Sequence, residues 1–255
     1  MRRTLFVGNW KSNKTVAETD AYFTELPQFV SSWQHEVVLM PPYVCLDVAS
    51  KKIVPGIKLG AQDVSHLDKG ACSGDIPASL LKTLGVQYCL VGHYDRRKLG
   101  ETNDIINTKI KNLISNEITP ILCIGETMDE YNNDKTKEVV EKQLKECLVG
   151  IKDVDKIVIA YQPIWTVGTG HQIYSEYIGL IADHMRKTVK AITGNAISAN
   201  FTLLYGGGPI TPQTSKMFLE TPDVDGLMAT VGSLTPATFS EIIKTEFKIK
   251  KSYLE

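Results

Sequence analysis

The stretch Ile157-Val158-Ile159-Ala160-Tyr161-Gln162 is five apolar residues, three of them β-branched, closed by a neutral amide. A strand with one wet face alternates polar and apolar side chains. An unbroken run suits a strand covered on both faces, as in a parallel sheet flanked by helices. Similar runs recur at Leu5 to Gly8, Val37 to Met40, Ile57 to Ala61, Tyr88 to Val91, Pro120 to Ile124, Phe201 to Tyr205 and Gly226 to Ala229, which makes eight candidate strands.

Between them lie apolar residues at helical spacing. The sets are Tyr22, Leu26, Phe29 and Val30; Ile106, Ile110, Leu113 and Ile114; Val140, Leu144, Cys147 and Leu148; and Ile178, Ile181, Met185 and Val189. Each set puts one apolar stripe on a helix. Eight strand-helix repeats in 255 residues predict a closed (β/α)8 barrel. The competing open, doubly wound sheet usually carries a GxGxxG turn after its first strand, and this sequence has none there. No Pro/Gly/Ser-rich linker divides the chain, so one domain over residues 1–255 is expected. Residues 248–255 read as a charged, frayed helix end.

The 28 basic and 29 acidic residues leave a formal net charge of -1. That balance gives no electrostatic reason to expect nucleic acid or an anionic membrane as partner. Cys45, Cys72, Cys89, Cys123 and Cys147 are odd in number and widely spaced. They suggest neither a disulfide framework nor a zinc site; buried packing residues in a reducing, cytoplasmic setting are expected. No stretch approaches the roughly 20 apolar residues of a spanning helix, and neither secretion nor membrane insertion is expected.

Chemistry in such a barrel gathers at the C-terminal ends of the strands. Asn9 and Lys11 follow the first run, Gln62 and Asp63 the third, His93 with Asp95, Arg96 and Arg97 the fourth, Glu126 the fifth and Gln162 the sixth. His93 alone would ordinarily be a hydrogen-bonded structural histidine, and Lys11 a solvated lysine. Their places after strand ends turn both readings toward a site. Arg96, Arg97, Glu101 and Glu126 read better as structural ion-pair members.

Gly8-Asn9-Trp10-Lys11, Gly92-His93-Tyr94-Asp95-Arg96-Arg97 and Ala160-Tyr161-Gln162-Pro163-Ile164-Trp165-Thr166-Val167-Gly168-Thr169-Gly170 together resemble the triosephosphate isomerase family. Ser73-Gly74-Asp75-Ile76, Gly100-Glu101-Thr102, Thr119 to Thr127, Tyr205-Gly206-Gly207 and Asp225-Gly226 come in the same order, so the resemblance spans nearly the whole chain. It implies an α/β, (β/α)8 TIM barrel that interconverts dihydroxyacetone phosphate and D-glyceraldehyde 3-phosphate in glycolysis and gluconeogenesis. No cofactor or metal is implied. It also implies a homodimer, through a loop at Gln62 to Pro77 that enters the neighbouring subunit.

By that resemblance Asn9 and Lys11 bind the substrate, His93 polarises its carbonyl, and Pro163 to Gly170 closes as a lid. A neutral imidazole beside a glutamate base is the family's established arrangement, implied by the resemblance and not by the spacing of these residues. On chemical grounds alone, enolisation needs a base, an oxyanion partner and exclusion of water.

The base is missing. Gln162 stands where the family has its glutamate, and a carboxamide takes up no proton near pH 7. Tyr94 replaces a serine that pairs with that glutamate, and Asp95 replaces a glutamate that braces Lys11, which predicts a long contact. At the phosphate end the resemblance implies lid glycines such as Gly168, a Gly-Gly-Ser turn and a later glycine pair; here the turn reads Gly206-Gly207-Gly208-Pro209, without the serine hydroxyl, and Thr230 and Val231 fill the positions of the pair. A local shift that recruits Gly232 would restore part of that end. One carboxylate-to-amide exchange would account for Gln162 but not for Tyr94, Gly208, Thr230 and Val231. The expectation is therefore a homologue with strongly reduced or lost activity and a weakened grip on a small phosphorylated carbonyl compound. Two alternatives stand beside it: a non-catalytic barrel that binds a metabolite or protein, and a diverged isomerase acting on a different carbonyl substrate.

Overall fold

The computed structural model describes residues 3–171, 173–194 and 200–248. The expected helix end beyond residue 248 lies outside the described residues. Eight parallel strands close on themselves in chain order: β1 (Leu5–Asn9), β2 (Glu36–Met40), β3 (Ile57–Ala61), β4 (Tyr88–Val91), β5 (Thr119–Ile124), β6 (Val158–Tyr161), β7 (Thr202–Tyr205) and β8 (Gly226–Ala229). Each lies within a residue of its predicted run. The seam is the pairing of β1 with β8, Leu5 opposite Gly226. A Cβ on Gly226 would lie 1.8 Å from the Leu5 carbonyl oxygen, so closure at this register requires glycine there.

The continuous apolar runs are explained by two cores. Side chains alternate across a strand. In β1 Leu5 and Val7 point into the barrel, where they meet Val38, Met40, Leu90, Ile121 and Leu204, while Phe6 packs outward against helices. The outer layer comprises α1 (Val16–Glu25), α2 (Pro27–Val30), α3 (Leu46–Lys52), α4 (Ala78–Thr83), α5 (Tyr94–Arg97), α6 (Asn103–Ser115), α7 (Met128–Asn132), α8 (Thr136–Cys147), α9 (Ser175–Thr193), α10 (Pro212–Leu219) and α11 (Pro236–Ile243). Among the described residues no helix is long and apolar enough to cross a membrane.

The stripes of α8 and α9 are buried as predicted. Two others need correction. Pro27 has no N–H to continue α1, so Leu26 caps it and a new turn begins, leaving Phe29 and Val30 only half-buried, with Val30 packed against the edge of the core. Ile114 is exposed at the edge of the α6 stripe. Cys72 is exposed in the loop after β3, unlike the other four cysteines, which are buried. That loop projects: residues 66–75 are all exposed, and its neck is closed by Ser65 donating to Asp75 (2.6 Å) and by the Ser65 N–H on the Ile76 carbonyl (2.9 Å).

Candidate active site

The C-terminal ends of β1, β4 and β6 bring Asn9, Lys11, His93 and Gln162 to one mouth. Asn9 is the last residue of β1, and its Oδ1 accepts the Lys11 N–H at 3.1 Å. Lys11 has φ 51, the left-handed region that a side chain disfavours. Gln62 holds it there by donating to the Lys11 carbonyl (2.8 Å) and to Met40 (2.9 Å). The lysine's backbone is thus fixed, and only its side chain can swing.

Lys11 Nζ donates to the Tyr94 hydroxyl at 3.2 Å and pairs with Asp95 Oδ2 at 3.1 Å. The long Lys11–Asp95 contact predicted from the shorter acid is therefore corrected: the first turn of α5 carries Asp95 close enough to make up the missing methylene. Burial pulls the Asp95 carboxyl upward, but the Lys11 hydrogen bond and neighbouring charge outweigh it and leave the group below the usual carboxylate range.

His93 caps the start of α5 and is 4% exposed. Burial, helped by the Lys11 charge, lowers its pKa to about 4, so the ring is neutral at pH 7 and makes no ion pair with Asp95 despite a 3.3 Å approach. Its Nδ1 accepts the Asp95 N–H at 3.2 Å. A backbone hydrogen cannot rotate away, so the ring's own hydrogen sits on Nε2. That nitrogen lies 3.0 Å from the carboxamide nitrogen of Gln162, whose oxygen faces the Tyr94 N–H at 3.5 Å. The contact is attractive when the carboxamide makes a half-turn and offers its oxygen to the ring.

Gln162 continues the barrel ladder, its N–H donating to Ile124 at 2.7 Å. Its carbonyl oxygen would lie 2.0 Å from a Cβ on Gly125, so a glycine at 125 is what lets this backbone sit there. Below the mouth, Lys109 of α6 is buried between Asp63 (2.6 Å) and Glu101, and Arg96 reaches Asp63 at 2.8 Å. Glu101 in turn accepts the Gly92 N–H, which ties this network to the residue before His93. Arg96 and Glu101 are ion-pair members as predicted. Arg97 and Glu126 make no ion pair among the described residues. Arg97 is spent on the Gly92 carbonyl and Asn103. Glu126 is fully buried behind the mouth, accepting from Trp165 Nε1 (2.8 Å) and Tyr161 (3.1 Å), and burial raises its pKa against those hydrogen bonds.

The lid residues rise from that anchor. Trp165 is buried, Gly168 and Gly170 have φ 70 and 76, and residues 168–171 are exposed. Gly207 lets the lid base lie close, since a Cβ there would meet Pro163 and Thr166 below 3.0 Å. The anion end differs from the mouth. Gly208 (φ 62) is half-buried, Thr230 precedes a single 3-10 turn, and Val231 is 80% exposed. Gly232 is packed closely, and a Cβ there would lie 2.5 Å from the Ile210 carbonyl oxygen, so the position leaves no room for a side chain. A cavity of about 580 Å³ runs sideways from Asn9, Lys11 and His93 toward the neck of the projecting loop, and it includes neither Gln162 nor the Gly208–Val231 end. Among the described residues no group of three or more His, Cys, Asp or Glu is placed to hold a metal.

A family model described as triosephosphate isomerase matches residues 4–246. The chain belongs to the triosephosphate isomerase family. Curated triosephosphate isomerases similar to it include that of Dictyoglomus turgidum, 38% identical over 96% of this chain and 100% of the relative, and that of Clostridium beijerinckii, 38% identical over 95% and 99%. The enzyme of Alkaliphilus metalliredigens is 37% identical over 95% and 99%.

The barrel brings together Asn9, Lys11 and His93, the three residues that the sequence resemblance assigns to the site. Gln162, expected from the sequence at the base position, is in contact with His93. Tyr94 turns its side chain to Lys11, and only its backbone faces Gln162. Two supporting residues were missed by sequence reasoning. Lys109 stands three residues after Ile106 on the buried stripe of α6, and a lysine in that register was the available signal. Gly125 gave no signal, because a close approach depends on the neighbouring strand.

Proposed function

We propose that this chain carries the inherited site for aldose-ketose interconversion of triose phosphates, dihydroxyacetone phosphate and D-glyceraldehyde 3-phosphate, with turnover strongly reduced. The observation that supports this reading is Gln162 in hydrogen-bond reach of a neutral His93, with no carboxylate in its place. The remaining nearby acids are committed: Asp95 to Lys11, and Glu126 to Trp165 and Tyr161 behind the mouth. In this reading Lys11 and His93 stabilise the developing enediolate oxygen, Asn9 orients it, and the lid excludes water. Proton abstraction lacks its acceptor, and such a loss costs on the order of 100- to 10,000-fold. Gly168, Gly208, Thr230 and Val231 are the proposed anion contacts. The Val231 side chain and the missing serine hydroxyl at Gly208 weaken them, which costs rate as well as binding, because remote contacts assist the chemical step.

A coupled assay of both directions tests this. Turnover of the unaltered chain far below that of Gln162→Glu is the expected result; ordinary glycolytic rates in the unaltered chain would refute it. The exposed Val231 favours a second reading, a diverged isomerase for a carbonyl substrate without a phosphate, or a non-catalytic binding barrel. Failure of Gln162→Glu to restore any triose phosphate turnover would favour that reading.

A cytoplasmic homodimer with a role in glycolysis and gluconeogenesis completes the proposal. The projecting loop at residues 66–75, the recess of about 580 Å³ at its neck, and exposed Val44, Leu67 and Leu99 are the features that support self-association. Sedimentation showing a monomer at micromolar concentration would refute it.

A further inference from the structure

We propose that Tyr94 is a positioning residue that tethers the Lys11 ammonium at the rim of the mouth, and so sets how much positive charge the site offers an anionic carbonyl ligand. The inference rests on the mouth being the ligand site proposed above.

The Lys11 ammonium has three N–H donors. One goes to the Tyr94 hydroxyl at 3.2 Å and one to Asp95 at 3.1 Å. The same ammonium also lies 4.6 Å from the centroid of the Tyr94 ring, where the negative face attracts a cation. The two distances put the ammonium toward the oxygen end of the ring, so the hydroxyl is its main hold and the ring face a lesser one. No hydrogen bond runs from Lys11 Nζ to His93 or Gln162 among the described residues. The ring is itself fixed: it packs on His93 with centroids 4.8 Å apart, and Lys98 covers it at 4.9 Å. On the lysine's side the backbone is pinned by Asn9 and Gln62. With both ends held, the side chain has little freedom to swing inward unless the tyrosine contact breaks. A shorter side chain at position 94 would supply neither the oxygen nor the face, and Asp95 alone would hold the ammonium at one point.

A ligand oxygen at the rim could take the third N–H, but one that draws the ammonium inward to the mouth must break the tyrosine contact. Exposed or half-exposed charge contacts of this kind are worth up to about fivefold in binding, and the added ring contact raises that toward tenfold. Two readouts test the tether, on Tyr94→Phe, Tyr94→Ser and Lys11→Met, with folding of each checked by circular dichroism. The first needs no ligand: trace acetylation with acetic anhydride, read at Lys11 by peptide mass spectrometry. Lys11 should react severalfold faster in Tyr94→Phe than in the unaltered chain, and faster still in Tyr94→Ser, whose ring is also gone. Equal rates in all three chains would overturn the proposal. The second is calorimetric titration with dihydroxyacetone phosphate. Tyr94→Ser should bind about five- to tenfold tighter than the unaltered chain, and that gain should vanish when Lys11→Met is added. A gain that survives without Lys11 would overturn the tether. If no chain binds dihydroxyacetone phosphate, the reading of the mouth as its site fails, and the acetylation rates still decide whether Tyr94 holds Lys11.

Discussion

His93 Nε2 lies 3.0 Å from the side-chain amide of Gln162, and both groups are neutral at pH 7. This pair defines the chemistry of the mouth, since a carboxylate in the same place would be both a base and a counter-charge for the ring. Gln162→Glu should consequently raise the His93 pKa from about 4 toward the ordinary imidazole range, because an adjacent anion favours the charged ring. A histidine titration followed by NMR in both chains checks this. An unmoved His93 in Gln162→Glu would mean that the new carboxylate does not face the ring.

Stability should fall as the pH is lowered through the His93 window. The folded ring resists protonation down to about pH 4, while the unfolded ring protonates near 6.5. The unfolded state thus binds more protons between those values, and its extra protonation removes about 3 kcal/mol of stability from pH 7 to pH 4. Below the folded pKa this contribution levels off. Urea unfolding at about pH 7 and about pH 4.5 measures it, and His93→Gln should flatten the dependence that the imidazole causes.

Lys109→Met should destabilise the barrel by about 3–5 kcal/mol, since it strands two carboxylates at a buried site. Asp63 and Glu101 both lose their shared cation, although Arg96 still reaches Asp63. Chemical denaturation at pH 7 reads the loss. Because Glu101 also holds the Gly92 N–H, displacement of the neighbouring His93 resonance should accompany it.

Glu126→Gln should leave stability at pH 7 unchanged or slightly higher. Burial raises the folded-state pKa of Glu126, so the charged form costs stability as pH rises through that value, and an amide avoids the cost while its oxygen can still accept from Trp165 and Tyr161. Glu126→Leu removes both acceptors and should cost about 2–3 kcal/mol through the buried indole and phenol it leaves unpaired. Thermal melts of the two variants distinguish the cases, and a large loss in Glu126→Gln would show that the charge itself is needed.

The strands were legible in the sequence because a strand buried on both faces must be written as an unbroken apolar run, a local property of the chain. Eight such runs with helical stripes between them imposed the barrel, and the short motifs around Asn9, Lys11, His93 and Gln162 marked its mouth. The character of Gln162 was equally plain, since no conformation turns a carboxamide into a proton acceptor near pH 7. Other features were decided by distances between segments far apart in sequence. Tyr94 reads as a lost partner for the residue at 162, yet its hydroxyl belongs to Lys11, 83 positions away. Asp95 reads as too short, yet the turn of α5 brings it to 3.1 Å. Gly232 reads as a substitute for a glycine pair, and the tertiary structure adds a packing reason for glycine there, because the Ile210 carbonyl occupies the space any side chain would need. Residue chemistry is fixed by the sequence, whereas which neighbour receives a hydrogen bond is set by how closely the closed barrel packs strands and loops that the chain itself keeps apart.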